Sequence, residues 1–180
     1  PLMYKEIGND LNALYNKINS TNKTIVSFLK ENGLEENEIT VNAPEIIDMN
    51  ADRYSSNQSN YRYNVTQVIT VASSKVDLVR RLINEQSELL KQGIAITSGD
   101  YMYRVQYEYT DLNSIKPQMI EEATKNARAA ALKFASDSDS KLGKIKRASQ
   151  GQFSINNRDE FTPYIKKVRV VTTIDYFLED

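Results

Sequence analysis

Residues 61–71 read Tyr61-Arg62-Tyr63-Asn64-Val65-Thr66-Gln67-Val68-Ile69-Thr70-Val71. Tyr61, Tyr63, Val65, Ile69 and Val71 fall on one face, and Gln67 interrupts that face. Period two in β-branched and aromatic residues predicts a half-buried strand, carried on to Ser73. Upstream, residues 50–60 are polar and nearly free of aliphatics, which predicts a hairpin loop. Before it, Ile39 to Asp48 reads as a strand, with Pro44 placing it at an edge or a bulge.

Further out in the same direction, Leu11, Leu14, Tyr15, Ile18, Ile25, Phe28 and Leu29 recur mostly at steps of three and four. That spacing predicts an amphipathic helix, with Asn9 or Asp10 as its cap and Gly33 as its stop. Leu2 to Ile7 alternates weakly and reads as the tail of a first strand. The chain opens on Pro1 without an initiator Met, so the expectation is a fragment whose first strand is truncated upstream. The long strands Tyr61–Ser73 and Ile165–Leu178 are then the candidates for a partly unpaired edge.

Downstream, Ser73 or Ser74 is placed to cap a second helix. Its expected core face is Val76, Val79, Ile83 and Leu90, with Leu82 and Leu89 flanking, and Gly93 ends it. Tyr101, Tyr103, Val105, Tyr107 and Tyr109 stand at strict period two and predict another strand. Ser114 is the expected cap of a third helix with Pro117 in its first turn and Ile120, Ala123, Ala127, Ala130, Ala131 and Phe134 as its inner stripe. Gly143 marks its exit. Lys144 to Phe153 and Ile165 to Leu178 complete the strands, the last with Val168, Val170, Thr172, Ile174, Tyr176 and Leu178 on one face. The fold class is α+β: a ferredoxin-like βαββαβ-type unit followed by helix–strand–strand, with helices packed on antiparallel or mixed sheet in a single domain, 1–180.

Composition removes more chemistry than it supplies. The 180 residues contain no His, no Cys and no Trp. That excludes a Ser-His-Asp triad, a His-ligated zinc, a thiolate nucleophile and a disulfide. A formal net charge of −1 gives no global pull toward nucleic acid or anionic membrane. Charge is uneven along the chain, however: residues 1–60 carry 5 basic and 9 acidic groups, and residues 144–169 carry 7 and 2. Lys144, Lys146 and Arg147, with Lys166, Lys167 and Arg169, are placed to line one side of a hairpin. They are the candidate residues for binding an anion or a partner, set against the plainer reading of a solvated, edge-protecting hairpin.

Eleven tyrosines raise a base-stacking reading for the Tyr101–Tyr109 face. No RNP-type motif accompanies them and only Arg104 is basic there, so no nucleic-acid partner is expected. Glu121-Glu122 suits the first turn of a helix, and Asp137 and Asp139 suit a helix C-terminal turn rather than a calcium loop. The sequon triplets at Asn19, Asn22, Asn57 and Asn64 are frequent by chance in an Asn-rich chain. No phosphate-binding glycine loop, nucleophile elbow or membrane-length apolar run occurs. No metal and no cofactor is expected, and an enzyme would have to work through Asp, Glu, Lys, Tyr, Ser or Thr alone.

Several stretches resemble the SIMPL-domain (DUF541) family. Phe28-Leu29-Lys30-Glu31-Asn32-Gly33-Leu34 through Ile39 is similar to its "L-K-x-x-G-I-x-x-x-D-I" segment, and Tyr61–Val71 to its "Y-x-x-x-x-x-V-x-V" strand. Ala123-Thr124-Lys125-Asn126-Ala127-Arg128-Ala129-Ala130-Ala131, with Leu142-Gly143-Lys144-Ile145, resembles "A-x-x-x-A-R-x-x-A…L-G-x-[VI]". Val168 to Tyr176 fits the closing strand. The family's first "V-x-V-x-G-x-G" run is missing, and Glu45–Asn60 is polar where relatives carry an aromatic, proline-bearing loop. These motifs concern packing and capping and carry over no catalytic residue. The resemblance implies a bacterial periplasmic or envelope location, a homo-oligomer, association with a membrane surface and a loose link to oxidative-stress tolerance. The leading expectation is thus a non-enzymatic envelope protein acting by self-assembly or binding. The alternative is an accessory module for an anionic small molecule, lipid headgroup or glycan.

Overall fold

The alternating stretch forms β4 (Tyr63–Val71), and β4 is the centre of its sheet. A computed structural model describes residues 1–51, 60–97 and 103–179. The core of the expected 50–60 loop therefore lies outside the described residues. The described chain forms two compact units, Pro1–Val105 and Gln106–Asp180.

In the first unit, β1 (Leu2–Gly8) pairs antiparallel with β4 over its whole length, from Leu2 opposite Ile69 to Gly8 opposite Tyr63. The expected long strand 39–48 is two short ones, β2 (Ile39–Val41) and β3 (Glu45–Asp48), both on the other side of β4. Pro44 lies in the gap between them. There, Asn42–Pro44 faces only Gln67 and Val68, so the edge carries one residue more than β4 does. With partners on both sides, β4 lacks the unpaired edge expected of Tyr61–Ser73.

The expected sixth element of the βαββαβ unit, Tyr101–Tyr109, is not a strand over its described residues, and the outer edge of β1 carries one antiparallel bridge, Thr97 to Met3, ahead of it. Tyr101 lies outside the described residues, and Arg104–Tyr109 has no strand pairing. Alternation alone does not make a strand; a neighbouring strand in register is needed as well.

All helices of this unit share one face of the sheet. Helix α1 (Leu11–Glu31) starts where Asp10 accepts a hydrogen bond from the Ala13 N–H at 2.8 Å. It stops at Gly33, whose φ of 101° suits glycine and lets the Leu34 N–H reach back to the Leu29 carbonyl. Beyond it, a 3-10 turn (Glu36–Glu38) is tied to the exit of β4. Glu38 accepts from Ser73 Oγ and pairs with Lys75 Nζ at 3.0 Å. The Glu35 backbone N–H, then Ser73 and Lys75, pull the Glu38 carboxyl down to about 2.

The second expected helix is broken at Glu85–Gln86 into α2 (Val76–Asn84) and α3 (Ser87–Lys91). The face it buries is Leu82 and Leu89, with Leu78 and Val79 half-buried, not the face through Val76 and Leu90. These join Leu2, Ile25, Phe28, Leu29 and Ile69 in the main core. Leu14, Ile18 and Val65 form a second, smaller cluster toward the other end of β4. Gln67 lies between Ile69 and Val65, where the two clusters part.

In the second unit, α4 (Leu112–Asp137) packs on a ribbon of β5 (Lys141–Gln150) and β8 (Thr172–Glu179). It begins two residues before the expected Ser114 cap, so Pro117 falls inside the helix. Half-buried Ile120, Ala123, Ala127 and Ala131 lead to buried Ala135, while Ala130 and Phe134 face solvent. The helix stop is Asp139, with φ of 52°, and not Gly143. Gly143 lies within β5, where a Cβ would come 3.0 Å from the Phe177 carbonyl oxygen. The expected strand Ile165–Leu178 is interrupted at Val170 and Val171. Its first part is β7 (Lys166–Arg169), paired with β6 (Ser154–Asn157) in a separate two-stranded sheet.

The helix break makes a direct test of the packing face. Leu89 is 0 % exposed and Leu90 is 63 % exposed. L89A should lower unfolding free energy in urea by about 3 kcal/mol, and L90A by under about 1 kcal/mol. Equal losses would put the buried face where the residue spacing had it.

Candidate functional site

The six candidate cations do not gather on one hairpin. Lys144, Lys146 and Arg147 lie on β5, and Lys166, Lys167 and Arg169 lie on β7, in different sheets of the second unit. Their surroundings differ as well. On the β5–β8 ribbon, Arg147 stands opposite Asp175 and Lys141 opposite Glu179, and Lys146 Nζ lies 5.8 Å from the Phe177 ring centroid. Of the β5 candidates, Arg147 thus faces a carboxylate across the ladder without pairing with it, and Lys146 lies over an aromatic ring. On β7 the residues opposite Lys166, Lys167 and Arg169 are Asn157, Asn156 and Ser154, all uncharged. Lys166 Nζ donates to Asn157 Oδ1 at 2.6 Å. None of the six makes an ion pair among the described residues.

The tip joining β6 to β7 is held by one carboxylate. Asp159 accepts from the N–H groups of Phe161 and Thr162 at 2.9 and 2.7 Å, and from Thr162 Oγ1 at 2.5 Å. The Thr162 hydroxyl, then Arg158, pull the Asp159 carboxyl down to about 2. The loop so fixed presents Phe161 at 91 % exposure. Tyr107, from the expected aromatic face, instead stacks edge-on against Tyr164, with ring centroids 5.9 Å apart.

Of the carboxylates singled out in the sequence, Glu121, Glu122 and Asp137 are surface groups of α4, and Asp139 lies just past its end. Glu121 pairs with Lys125, and Asp137 pairs with Lys133 at 2.5 Å. No cluster of three or more potential metal ligands occurs among the described residues.

A cavity of about 360 Å³ opens in the first unit, between α1 and the β2–β3 edge. Its apolar walls are Leu11, Leu14, Tyr15 and Ile18 of α1, with Val41, Ile46 and Val65 of the sheet. Pro44 and four carboxamides, Asn19, Asn22, Asn42 and Gln67, complete the lining. No charged side chain takes part. Gln67 is 1 % exposed, and its Nε2 donates to the Asn42 carbonyl at 2.7 Å and the Val68 carbonyl at 3.1 Å. Asn42 returns its own N–H and Nδ2 to Val68 O, which pins the extra edge residue in place. Asn22 Oδ1 accepts from the buried Tyr4 hydroxyl at 2.8 Å. Burial, then the Glu6 carboxylate, push the Tyr4 phenol upward, so it remains a donor. Composition and motif spacing do not locate this cavity. The one sequence signal for it is Gln67, the polar break in an otherwise apolar strand face.

Comparison with known proteins identifies one family. The family model described as "SIMPL: Protein of unknown function (DUF541)" matches residues 2–171. No curated protein matches the sequence.

At neutral pH the loop tip should be rigid. D159A should raise amide hydrogen exchange at Phe161 and Thr162 by at least about tenfold and leave β4 amides unchanged, as read by NMR. With the Asp159 pKa lowered from 3.8 to about 2, wild-type protection should persist as pH falls through 3.8 and disappear only near 2.

Proposed function

The chain belongs to the SIMPL (DUF541) family, and on that premise we propose that it is a non-enzymatic protein of the bacterial periplasm or cell envelope that acts by self-assembly. One observation carries the reading. The β5–β8 ribbon has only two strands, and both outer edges are unpaired among the described residues. A two-stranded ribbon is marginal by itself in water, and unpaired edges recruit further strands. Ile145 on β5 and Phe177 and Leu178 on β8 are exposed beside those edges. Phe177, with Lys146 over its ring, has the make-up of an interface anchor: a large apolar face with a cation beside it. Family members are generally extracytoplasmic. No helix among the described residues is long and apolar enough to cross a membrane. The link to oxidative-stress tolerance belongs to this reading and is measured by survival of a gene-deleted strain under peroxide.

Analytical ultracentrifugation over a concentration series tests assembly. The wild type should show a mass above the monomer that falls on dilution. F177E should weaken self-association at least about tenfold, the change expected on removing an aromatic anchor, with the melting temperature nearly unchanged. A strict monomer at every concentration would remove the proposal.

The uncharged residues opposite the β7 cations favour a second reading, a binding module for an anionic small molecule, lipid headgroup or glycan through Lys166, Lys167 and Arg169. Binding of anionic vesicles should then weaken steeply as salt rises and disappear when all three are changed to Gln. Binding unaltered by that triple change excludes this surface.

A further inference from the structure

We propose that the α1–edge cavity of the first unit is a binding site for a small, uncharged, largely apolar molecule that offers one hydrogen-bond donor to Gln67 Oε1. Gln67 lines the cavity and is almost wholly withdrawn from solvent. Both recorded bonds of its carboxamide are donated by Nε2. Oε1 accepts nothing among the described residues and is not among the polar atoms sealed from solvent. Oε1 is thus an acceptor within reach of solvent and without a partner among the described residues, and a ligand N–H or O–H takes the place of water there. The carboxamide cannot flip to supply its own answer, because Nε2 is anchored by two carbonyls of the bulge.

The remaining lining sets the rest of the ligand. Leu14, Ile18, Val41 and Ile46 give apolar walls, and Tyr15 gives an aromatic rim. The volume of about 360 Å³ is that of a small-molecule site, and such sites join apolar walls to a few convergent polar groups. With no Lys, Arg, Asp or Glu in the lining, a charged ligand would lose its hydration without compensation. Indole has the required properties: a flat apolar body, no charge and one N–H. 1-Methylindole keeps the body and lacks the donor.

The chain has no Trp, so indole emission reports the probe without protein indole beneath it. Titrating the 180-residue chain into indole should give a saturable blue shift of emission at one site per chain. 1-Methylindole should bind about fivefold more weakly, the ratio expected for one hydrogen bond. Q67M should abolish the difference between the two probes. V41F, at an exposed rim position, should fill the cavity and abolish binding of both while leaving the melting temperature unchanged. It keeps the test decisive if Q67M fails to fold. Absence of saturable indole binding, equal affinity for the two probes, or unchanged binding by V41F would each overturn the proposal. So would a loss of self-association on V41F together with competition between indole and assembly, because a second copy would then be the occupant. The proposal does not depend on assembly: a monomeric chain that binds indole in this manner supports it.

Discussion

The first unit is organised around a mismatch of one residue. Strand β4 needs a neighbour on each side, and β1 supplies one with unbroken register. On the other side Pro44 cannot donate to a ladder, so the edge breaks into β2 and β3 with three residues set against two. The surplus is held by the Val68 carbonyl, which accepts from Asn42 N–H, Asn42 Nδ2 and Gln67 Nε2, all at 3.1 Å. An apolar residue at 67 could not make that bond. The bulge therefore explains why a polar residue lies in the middle of a strand face, why the core splits into two clusters beside it, and why a cavity remains under α1.

Much of this arrangement is legible in the sequence, and its failures have physical causes. The α1 boundaries follow from local chemistry: a capping carboxylate at Asp10 and a left-handed stop at Gly33 need no tertiary information. The existence of a strand at Tyr63–Val71 and the bulge at Pro44 are readable for the same reason, whereas the central place of that strand is not, since the sequence reading makes it a candidate for an edge. Leu82/Leu89 against Val76/Leu90 is different. The segment offers two apolar faces, and the choice depends on which face meets Phe28 and Ile69, a long-range fact. Tyr103 to Tyr109 shows the converse, with a strong period and no partner strand among the described residues.

In the second unit the sequence signals were displaced. Gly143 reads as a helix stop, yet Asp139 takes the left-handed conformation, and Gly143 serves where the backbone of β8 passes too closely for a side chain. The cationic run reads as one surface because the residues are near one another in sequence and share a sign. Strand pairing then gives each group its own environment: carboxylates beside the β5 cations, amides and a hydroxyl beside those of β7. Formal charge is a property of the sequence, but whether that charge is free to act is settled by the residue across the ladder.

The pairing of β1 with β4 also governs the order in which the first unit can form. Leu2 must wait for Ile69, and Gly8 for Tyr63, before their backbone groups find partners. Helix α1 closes only local bonds, and the β6–β7 hairpin joins residues as near as Asn157 and Lys166. Non-local strand pairing requires loop closure before any contact rewards it, which slows folding. During synthesis, Leu2, Met3 and Tyr4, among the most deeply buried residues of the finished unit, leave the ribosome before β4 and remain without their partner strand until it has emerged. A chain built this way leaves an apolar strand unpaired until β4, at Tyr63–Val71, has been made, whereas the helix between them can form at once.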